Sequence, residues 1–513
     1  MNSNSFWKRL ESINNITNTA NGDKSYRSSL SGLVDLMFKA GMKQDPTENP
    51  CNLIKIFTDA YKENPLYAVR LLFYIRDVRG GQGCKNFFRT VISYLGKTDP
   101  KLACSLCEYI PEYGSWNDLF DILKYNGYSN LDKTVVDTIF NMVKHQLKQD
   151  MKNMLEDKPI SLLVKWMPSE NTSSAESVKL AKIVRKYLEY DSKSYRKLLS
   201  TGRQYLDIVE RKVCANEIDK IKYETVPSKA MLKYKHTFIE KDNVRFNKYL
   251  EAVSAGKSKI NASTLYPCDL VHQIAPSGYV YMHSLSANAI KLFIEQWKAL
   301  PDFFNGKQDN SIVVADVSGS MIGTPLEVCL SLACYIAERN KGAFHNKFIT
   351  FSGKPQLCNL TGKNIVEYLY NMQSADWGMN TDLSKVFQLL FDAVTPETVK
   401  DMPSTIYIIS DMQFDQCIDS RKLSTFEYWQ EKFKSELGIE LPKVVFWNVA
   451  NEHDDVPVTI HNTGAILISG KSPAILKFVM GENHLDTLSL IKDIVYSPKY
   501  NNILSEDYFK KSA

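Results

Sequence analysis

The 513-residue chain has the composition of a globular protein, with 44% hydrophobic and 24% charged residues. Its charge is unevenly divided, because residues 1–300 contain 44 Lys and Arg against 32 Asp and Glu, whereas residues 301–513 contain 19 against 26. No apolar stretch approaches the roughly 20 residues needed to cross a bilayer, and the beginning, MNSNSFWKRL, lacks the apolar core of a signal peptide. Ten scattered cysteines favour a reducing compartment. These features argue against a membrane or disulfide-stapled protein and predict a cytoplasmic or nuclear one, with a basic and an acidic module.

The first 25 residues are rich in Asn, Ser and Thr, which predicts a flexible arm. Over residues 26–304, apolar residues recur at helical spacing, as at Leu33, Val34, Met37 and Phe38. Pro and Gly interrupt the pattern at short intervals, so we expect helices of roughly 10–18 residues joined by short turns. This predicts an α-helical array of the HEAT-repeat kind, although no fixed period is present.

Residues 305–485 change to alternating strand and helix patterns, which predicts a doubly wound α/β domain with a parallel sheet. A return segment, residues 486–513, is expected to follow it. Thr324-Pro325-Leu326-Glu327 has the form of a capping box that begins a helix. The strands are predicted at 311–316, 347–351, 405–410, 443–449 and 465–469, and the helices near 325–341, 363–373, 382–394, 421–437 and 472–480.

Oxygen-bearing side chains cluster at the ends of two of these strands. Asp316, Ser318 and Ser320 follow a short apolar strand in the spacing D-x-S-x-S. Thr381 lies in a polar loop that opens a helix, and Asp411 ends the strand at 405–410. Carboxylate and hydroxyl oxygens are the ligands that Mg²⁺ or Mn²⁺ prefers, so these five residues form a candidate metal site. A Ser-rich turn beside acidic helix starts is the alternative.

A first basic segment, RLLFYIRDVRGGQGCKNFFR, surrounds a Gly-Gly-x-Gly turn at residues 80–83. Its candidates for phosphate contact are Arg76, Arg79, Lys85 and Arg89, because glycines let a backbone approach a phosphate and Arg binds it bidentately. Solvated arginines at a helix–turn–helix corner are the alternative.

Two further basic positions follow. Lys165 precedes Trp166 at the end of an apolar helix, where Trp166 fits a core position better than a binding one. Arg196, Lys197 and Arg203 belong to a region that interleaves basic residues with tyrosines. Basic and aromatic side chains together favour single-stranded nucleic acid, and solvated helix faces are the alternative.

A helical array followed directly by an α/β domain with this metal motif resembles the Ro autoantigen family, in which a TROVE module precedes a von Willebrand factor A domain. The five candidate ligands resemble the metal-ion-dependent adhesion site of such A domains. Tyr113–Leu119 resembles the family's Y-G-x-W-x-D-L segment, and Arg76-Asp77 with the glycines at 80–83 resembles its R-D…G-x-G segment. Lys165–Ser169 and Leu265–Pro267 are most similar to uncharacterised viral and plant relatives of this architecture.

The resemblance implies helical repeats closed into a ring whose two ends are clasped by the A domain. Single-stranded RNA ends would enter the hole, and small structured RNA would bind the basic rim. Ser318, Ser320 and Thr381 would bind the metal directly or through water, with Asp316 and Asp411 largely outside them. One position would remain for an acidic residue of a protein partner. Met379-Asn380 departs from the glycines common at such sites.

Three functions are compatible with these patterns. The favoured one is a monomeric, non-catalytic RNA-binding ribonucleoprotein component. The second is a metal-dependent protein–protein interaction module or scaffold without RNA binding. The third, a Mg²⁺-dependent phosphohydrolase, is disfavoured because such enzymes need a second acid where Ser318 stands. For a viral protein, the host-cell cytoplasm or the virion would be the compartment.

Overall fold

The computed structural model of the chain describes most of its length. Residues 1–9, 11–12, 44–48, 126–129, 282–283, 305–309, 374–380, 418–422, 451, 481–483 and 511–513 lie outside the described residues. Met379-Asn380 is therefore outside them, as are 11 of the 25 residues of the predicted N-terminal arm.

The first part of the described chain is a β-hairpin followed by a long series of α-helices. These elements are β1 (Ile16–Asn18), β2 (Lys24–Tyr26), α1 (Gly32–Lys39), α2 (Pro50–Glu63), α3 (Pro65–Arg76), α4 (Lys85–Thr98), α5 (Pro100–Cys107), α6 (Ile110–Tyr113), α7 (Trp116–Tyr125), α8 (Lys133–Leu155), α9 (Leu163–Trp166), α10 (Ala175–Tyr187), α11 (Ser192–Tyr205), α12 (Val209–Cys214), α13 (Ser228–Lys241), α14 (Asn243–Ser254), α15 (Pro267–Ile274) and α16 (Ala287–Lys298).

The second part alternates strands and helices. These elements are β3 (Ser311–Asp316), α17 (Thr324–Arg339), β4 (Lys347–Phe351), β5 (Leu357–Asn359), α18 (Ile365–Met372), α19 (Leu383–Asp392), β6 (Thr405–Ser410), α20 (Thr425–Lys432), β7 (Lys443–Asn448), β8 (Ala465–Ser469), α21 (Leu476–Val479), α22 (Thr487–Tyr496) and α23 (Glu506–Lys510). All five predicted strands are confirmed, and β5 is an additional one.

Short polar segments start several of the early helices. Asn49, Asn64 and Asp99 each accept a hydrogen bond from a backbone N–H of the following helix through the side chain. A proline comes directly after each of these caps, where its fixed backbone angle suits the first turn and its missing N–H is no loss. These three prolines therefore mark helix starts.

The second part of the chain is built around a six-stranded, mostly parallel sheet in the order β5-β4-β3-β6-β7-β8. Every residue of the central strands β3 and β6 is buried, which explains their uninterrupted apolar pattern. From β3 the chain continues to β4 and β5 on one side, and it returns to β6, β7 and β8 on the other. The carboxyl ends of β3 and β6 thus flank the point where the strand order reverses, the usual place for a ligand crevice.

Both ends of the helical region pack on the sheet region. At the beginning, α1 contacts β7, β8 and α22; at the end, α15 packs on α17 and α16 on α18. The two ends also meet directly, because the Tyr266 hydroxyl donates to the Val78 carbonyl oxygen over 3.3 Å. The helical region therefore starts and finishes against the same α/β unit.

The N-terminal hairpin corrects the expectation of a flexible arm for the residues it contains. Strands β1 and β2 pair antiparallel, and the Thr19 hydroxyl donates to the Phe414 carbonyl over 2.7 Å. Tyr26 and Val456 exchange backbone hydrogen bonds of 2.9 and 2.7 Å. Polar composition suggested flexibility, but these side chains and backbone groups bind residues more than 390 positions away.

The C-terminal segment returns to the first helices. The buried Arg70 guanidinium, on α3, donates to the carbonyl oxygens of Val495, Ile503 and Leu504 at 3.3, 3.1 and 2.9 Å. Helix α22 packs on α1 and α3. Among the described helices, none combines the length and apolar character needed to span a bilayer.

Candidate metal site and basic cavity

Two predicted metal ligands meet at the switch point of the sheet. Asp316 ends β3 and Asp411 directly follows β6, and both are buried. The Ser410 hydroxyl lies between them, 2.6 Å from Asp316 Oδ2 and 3.5 Å from Asp411 Oδ1. Ser410 was not among the predicted ligands, although its position at the last residue of a strand before an acid was a usable signal.

The two serines of the motif lie beside the first carboxylate. Asp316 Oδ1 accepts a 2.9 Å hydrogen bond from the Ser318 N–H, which turns the chain back over the strand end. The Ser318 and Ser320 hydroxyl oxygens are 3.1 Å apart. Ser318 is buried whereas Ser320 is exposed, so the pair extends from the crevice toward solvent.

Thr381 is buried in the same group of loops. Its N–H and hydroxyl bond the Asp415 carboxylate at 2.9 and 3.1 Å, and the hydroxyl is 3.0 Å from the Gln413 carbonyl oxygen. The Gln413 N–H in turn donates to Asp411 Oδ1 at 3.0 Å. The Asn21 side-chain amide, at the tip of the N-terminal hairpin, donates to the Thr381 hydroxyl at 3.3 Å. Asn21 and Asp415 are site neighbours that the sequence did not reveal.

Burial and a neighbouring carboxylate both disfavour negative charge in the crevice. Burial and the nearby Asp411 charge raise the pKa of Asp316 from 3.8 to about 6. Among the residues that the structure describes, no Lys, Arg or His forms an ion pair with Asp316 or Asp411. The same residues contain no group of three or more His, Cys, Asp or Glu side chains placed to hold a metal. A site here would depend on two carboxylates and three hydroxyls, the donor set predicted from the sequence.

The predicted capping box at α17 is wrong. The helix begins after Gly323, and the Glu327 carboxylate accepts from the Ser277 N–H at 3.1 Å. His272 Nδ1 lies 2.9 Å from the same carboxylate. Because Glu327 bonds the end of the helical region, it joins the two parts of the chain and does not cap its own helix.

Arg76 and Arg89, two of the predicted phosphate contacts, form a buried ion-pair network with Asp118. Arg76 Nη2 is 2.6 Å from Asp118 Oδ2, and both side chains are almost inaccessible to solvent. Arg89 Nε is 2.7 Å from Asp118 Oδ1 and its Nη1 is 2.6 Å from Asp121. This geometry argues against phosphate contact by Arg76 and Arg89, since the first guanidinium is inaccessible to a ligand and both are already paired with carboxylates.

The glycines of the Gly-Gly-x-Gly turn also have a packing role in place of the predicted phosphate cradle. A Cβ at Gly81 would lie 1.9 Å from the Tyr74 carbonyl oxygen, and one at Gly83 (φ +71°) would lie 1.9 Å from the Tyr266 hydroxyl. Residues 81 and 83 must therefore be glycine, because neighbouring groups pack directly against the backbone of the turn. Arg79 and Lys85 flank it and remain exposed.

Three of the four other predicted basic residues line one open cavity of about 720 Å³ between α9, α11, α12 and α13. Lys165, Arg196 and Arg203 line it, whereas Lys197 is exposed on α11 outside its lining. Two further cations of the same basic region, Arg211 and Lys233, also line this wall. Basic side chains from four helices converge here, which no single helical pattern could show.

The roles of these cations differ. Arg203 donates to the carbonyls of Val164 and Met167 at 3.0 and 2.8 Å, so it fixes the end of α9 and is not a free phosphate ligand. Lys165 forms an ion pair of 3.2 Å with Glu210. Arg196, Arg211 and Lys233 are exposed, and within the described chain no carboxylate forms an ion pair with them. Their charges are the ones available to a polyanion.

Fold and sites define a protein of two modules: a helical array with a basic cavity, and a mostly parallel α/β sheet with a crevice of carboxylates and hydroxyls at its switch point. Residues 310–502 match the model of a domain of unknown function (DUF7788), and residues 19–136 and 170–305 match another (DUF2828). The chain is 30% identical to "Uncharacterized protein L728" of Acanthamoeba polyphaga mimivirus, over 94% of this chain and 87% of that protein. The chain therefore belongs to the same family as this mimivirus protein.

Proposed function

We propose that the protein is a non-catalytic RNA-binding component of a ribonucleoprotein, with the helical module as its RNA-binding surface. The observation that carries the proposal is the cavity of about 720 Å³ at which Arg196, Arg211 and Lys233 converge; Glu170 and Glu210 also line it, but no carboxylate among the described residues forms an ion pair with these three cations. Unpaired cations around a concave surface attract the phosphate backbone, and they supply most of the sequence-independent affinity for nucleic acid. The resemblance to the Ro family and the basic charge of residues 1–300 support the same function.

The architecture proposed for the helical module is a ring closed by a von Willebrand factor A-like domain. The support is that α1 and α15–α16, from opposite ends of the array, pack on the sheet region, while Tyr266 bonds Val78 across the closure. In this arrangement RNA strands and the α/β module occupy different parts of one closed assembly.

In the α/β module we propose a site for Mg²⁺ or Mn²⁺ held by Asp316, Ser318, Ser320, Thr381 and Asp411. The residues fit such an ion, because two buried carboxylates share one serine hydroxyl without a cationic side chain paired to them in the described structure. A bound divalent ion would neutralise this charge and supply a ligation point toward solvent at the exposed Ser320. An acidic residue of a protein partner is the ligand that this point would accept.

The RNA proposal is tested by titrating labelled single-stranded RNA and hairpin RNA over a salt series. The test variant replaces Arg196, Arg211 and Lys233 with Gln. The matched control replaces three exposed lysines of other helices, Lys97, Lys101 and Lys148. Each phosphate contact contributes about 0.7 to the salt slope for a single strand, so the cavity variant should lower the slope by about 2 and the control should not.

Absence of binding at low salt, or equal losses in the two variants, would contradict the RNA proposal. In that case the metal-dependent protein-interaction module becomes the better account. The metal is tested separately by calorimetric titration of Mg²⁺ and Mn²⁺ into wild type and Asp316→Ala. An unchanged metal affinity in that variant would refute the ligand set.

A further inference from the structure

Trp166 occupies an unusual position for a tryptophan. It ends the short helix α9, and 38% of its surface is exposed. Trp166 lines the basic cavity and also a second, smaller recess of about 350 Å³. The sequence favoured a core role for Trp166, whereas the structure places it at two solvent-open cavities.

The two cavities differ in chemistry. The larger one carries the unpaired cations described above. The smaller one is lined mainly by amide, hydroxyl and amino side chains, with Phe120 and Pro168 as its apolar part: Asn117, Lys124, Ser169, Asn171, Thr172 and Ser177. Positive charge on one side of an aromatic ring and hydrogen-bonding groups on the other correspond to the two halves of a nucleotide.

The backbone around Trp166 is held in place before any ligand arrives. Arg203 fixes the carbonyls on both sides of Trp166, those of Val164 and Met167, and donates to the Ser169 hydroxyl at 2.8 Å. The buried Tyr195 hydroxyl donates to the Pro168 carbonyl at 2.8 Å. Lys165 Nζ lies 5.6 Å from the centre of the indole and is itself held by Glu210. An ordered platform of this kind loses little conformational entropy on binding.

We infer that Trp166 is a stacking platform for an unpaired RNA base, with that base in the smaller recess and the adjoining phosphates at the cations of the larger cavity. This site deepens the proposed function and rests on it. It selects single-stranded over duplex RNA, because a paired base cannot leave its stack to lie on the indole without a cost of a few kcal/mol.

The test compares an RNA oligonucleotide with an abasic strand of equal length and charge, each titrated by fluorescence anisotropy. Wild type should prefer the strand that carries bases by about fivefold to 150-fold, the range for stacking one base on an aromatic side chain. Trp166→Leu should abolish this preference while its affinity for the abasic strand stays unchanged. Trp166→Phe, which keeps an aromatic face, should retain most of it.

Tyr370→Leu, which removes an exposed aromatic residue from α18 in the other module, is the matched control. Equal affinities of wild type for the two strands, with a normal salt slope, would overturn the platform and leave the proposed function standing. Failure of wild type to bind either strand would overturn both. A preference that survives in Trp166→Leu, or one that Tyr370→Leu abolishes as well, would place the stacked base elsewhere. Thermal unfolding of each variant shows that the comparison is between folded proteins.

Discussion

Replacement of Asp118 by Asn should strongly destabilise the helical module. The Asp118 side chain is fully buried and accepts hydrogen bonds from Arg76 (2.6 and 3.1 Å), from Arg89 (2.7 Å) and from the Ser115 N–H (2.8 Å). Burial opposes its ionisation, but the charges of Arg76 and Arg89 outweigh this and hold the pKa of Asp118 below its usual value. The Asn variant keeps the shape of the side chain and leaves the Arg76 guanidinium buried without a counter-charge.

Loss of one partner of a buried ion pair costs about 3–5 kcal/mol in the free energy of unfolding. With a urea dependence of about 2–3 kcal/mol per molar, the midpoint of the transition that includes α7 should fall by at least about 1 M. Circular dichroism in a urea series measures it, and hydrogen exchange assigns the transition to α7. Asp59→Asn is the matched control, because Asp59 pairs with two exposed lysines and should cost under about 1 kcal/mol.

An Asp118→Asn variant that unfolds at the wild-type urea concentration would refute the buried network. The pH dependence gives a second check, because the folded pKa of Asp118 is depressed. Its contribution to stability should be complete above the unfolded pKa and should disappear as the pH falls through the folded value. If the network is correct, loss of RNA binding in an Arg76 variant would report unfolding and not a lost phosphate contact.

Three further outcomes are expected. Mg²⁺ at about 100 times its Kd should raise the free energy of unfolding of wild type by about 2.7 kcal/mol and should leave that of Asp316→Ala unchanged. Equal shifts of the two proteins in thermal melts would contradict the site. Asn21→Ala should weaken Mg²⁺ affinity about two- to tenfold, because the Thr381 hydroxyl loses a hydrogen-bond donor that positions it; unchanged calorimetric affinity would show the hairpin to be irrelevant to the metal. Burial raises the pKa of Asp23 from 3.8 to about 6, so its contribution to stability should be complete below pH 3.8 and should be lost as the pH rises through 6. Asp23→Asn still accepts the hydrogen bond from the Thr425 hydroxyl, so at pH 7 its free energy of unfolding, measured in urea, should exceed that of wild type by at most about 3 kcal/mol. Equal stabilities at that pH would argue against the raised pKa.

The local order of the α/β part could be predicted because its central strands are buried on both faces. Strands such as Ser311–Asp316 and Thr405–Ser410 need unbroken apolar runs, and such runs are visible without any partner. The acids at their ends follow from the same pattern, since parallel strands present their carboxyl ends at one edge of the sheet. The three-residue strand β5 escaped prediction because Leu357 and Asn359 are exposed and give no apolar signal.

Side-chain roles in the helical part could not be predicted in this way. Arg76 and Arg89 share a segment with Arg79 and Lys85, yet two of these four are fixed by Asp118 and two are exposed. A sequence shows that a residue is charged but not whether an opposite charge lies against it after folding. The role of the glycines at 80–83 was ambiguous for the same reason. The absence of a Cβ allows a phosphate to approach the backbone, and it equally allows a tyrosine to pack against it.

The sequence by itself determined the two modules, the strand order along the chain and the oxygen-bearing residues at the strand ends, because these depend on periodicity and on residue type. Only the tertiary structure decided that Asn21 reaches Thr381, that Asp118 neutralises Arg76, and that cations of four helices line one cavity with Trp166. Contacts between residues far apart in the chain leave no local pattern, since each side chain needs only to be compatible with a neighbour that folding supplies.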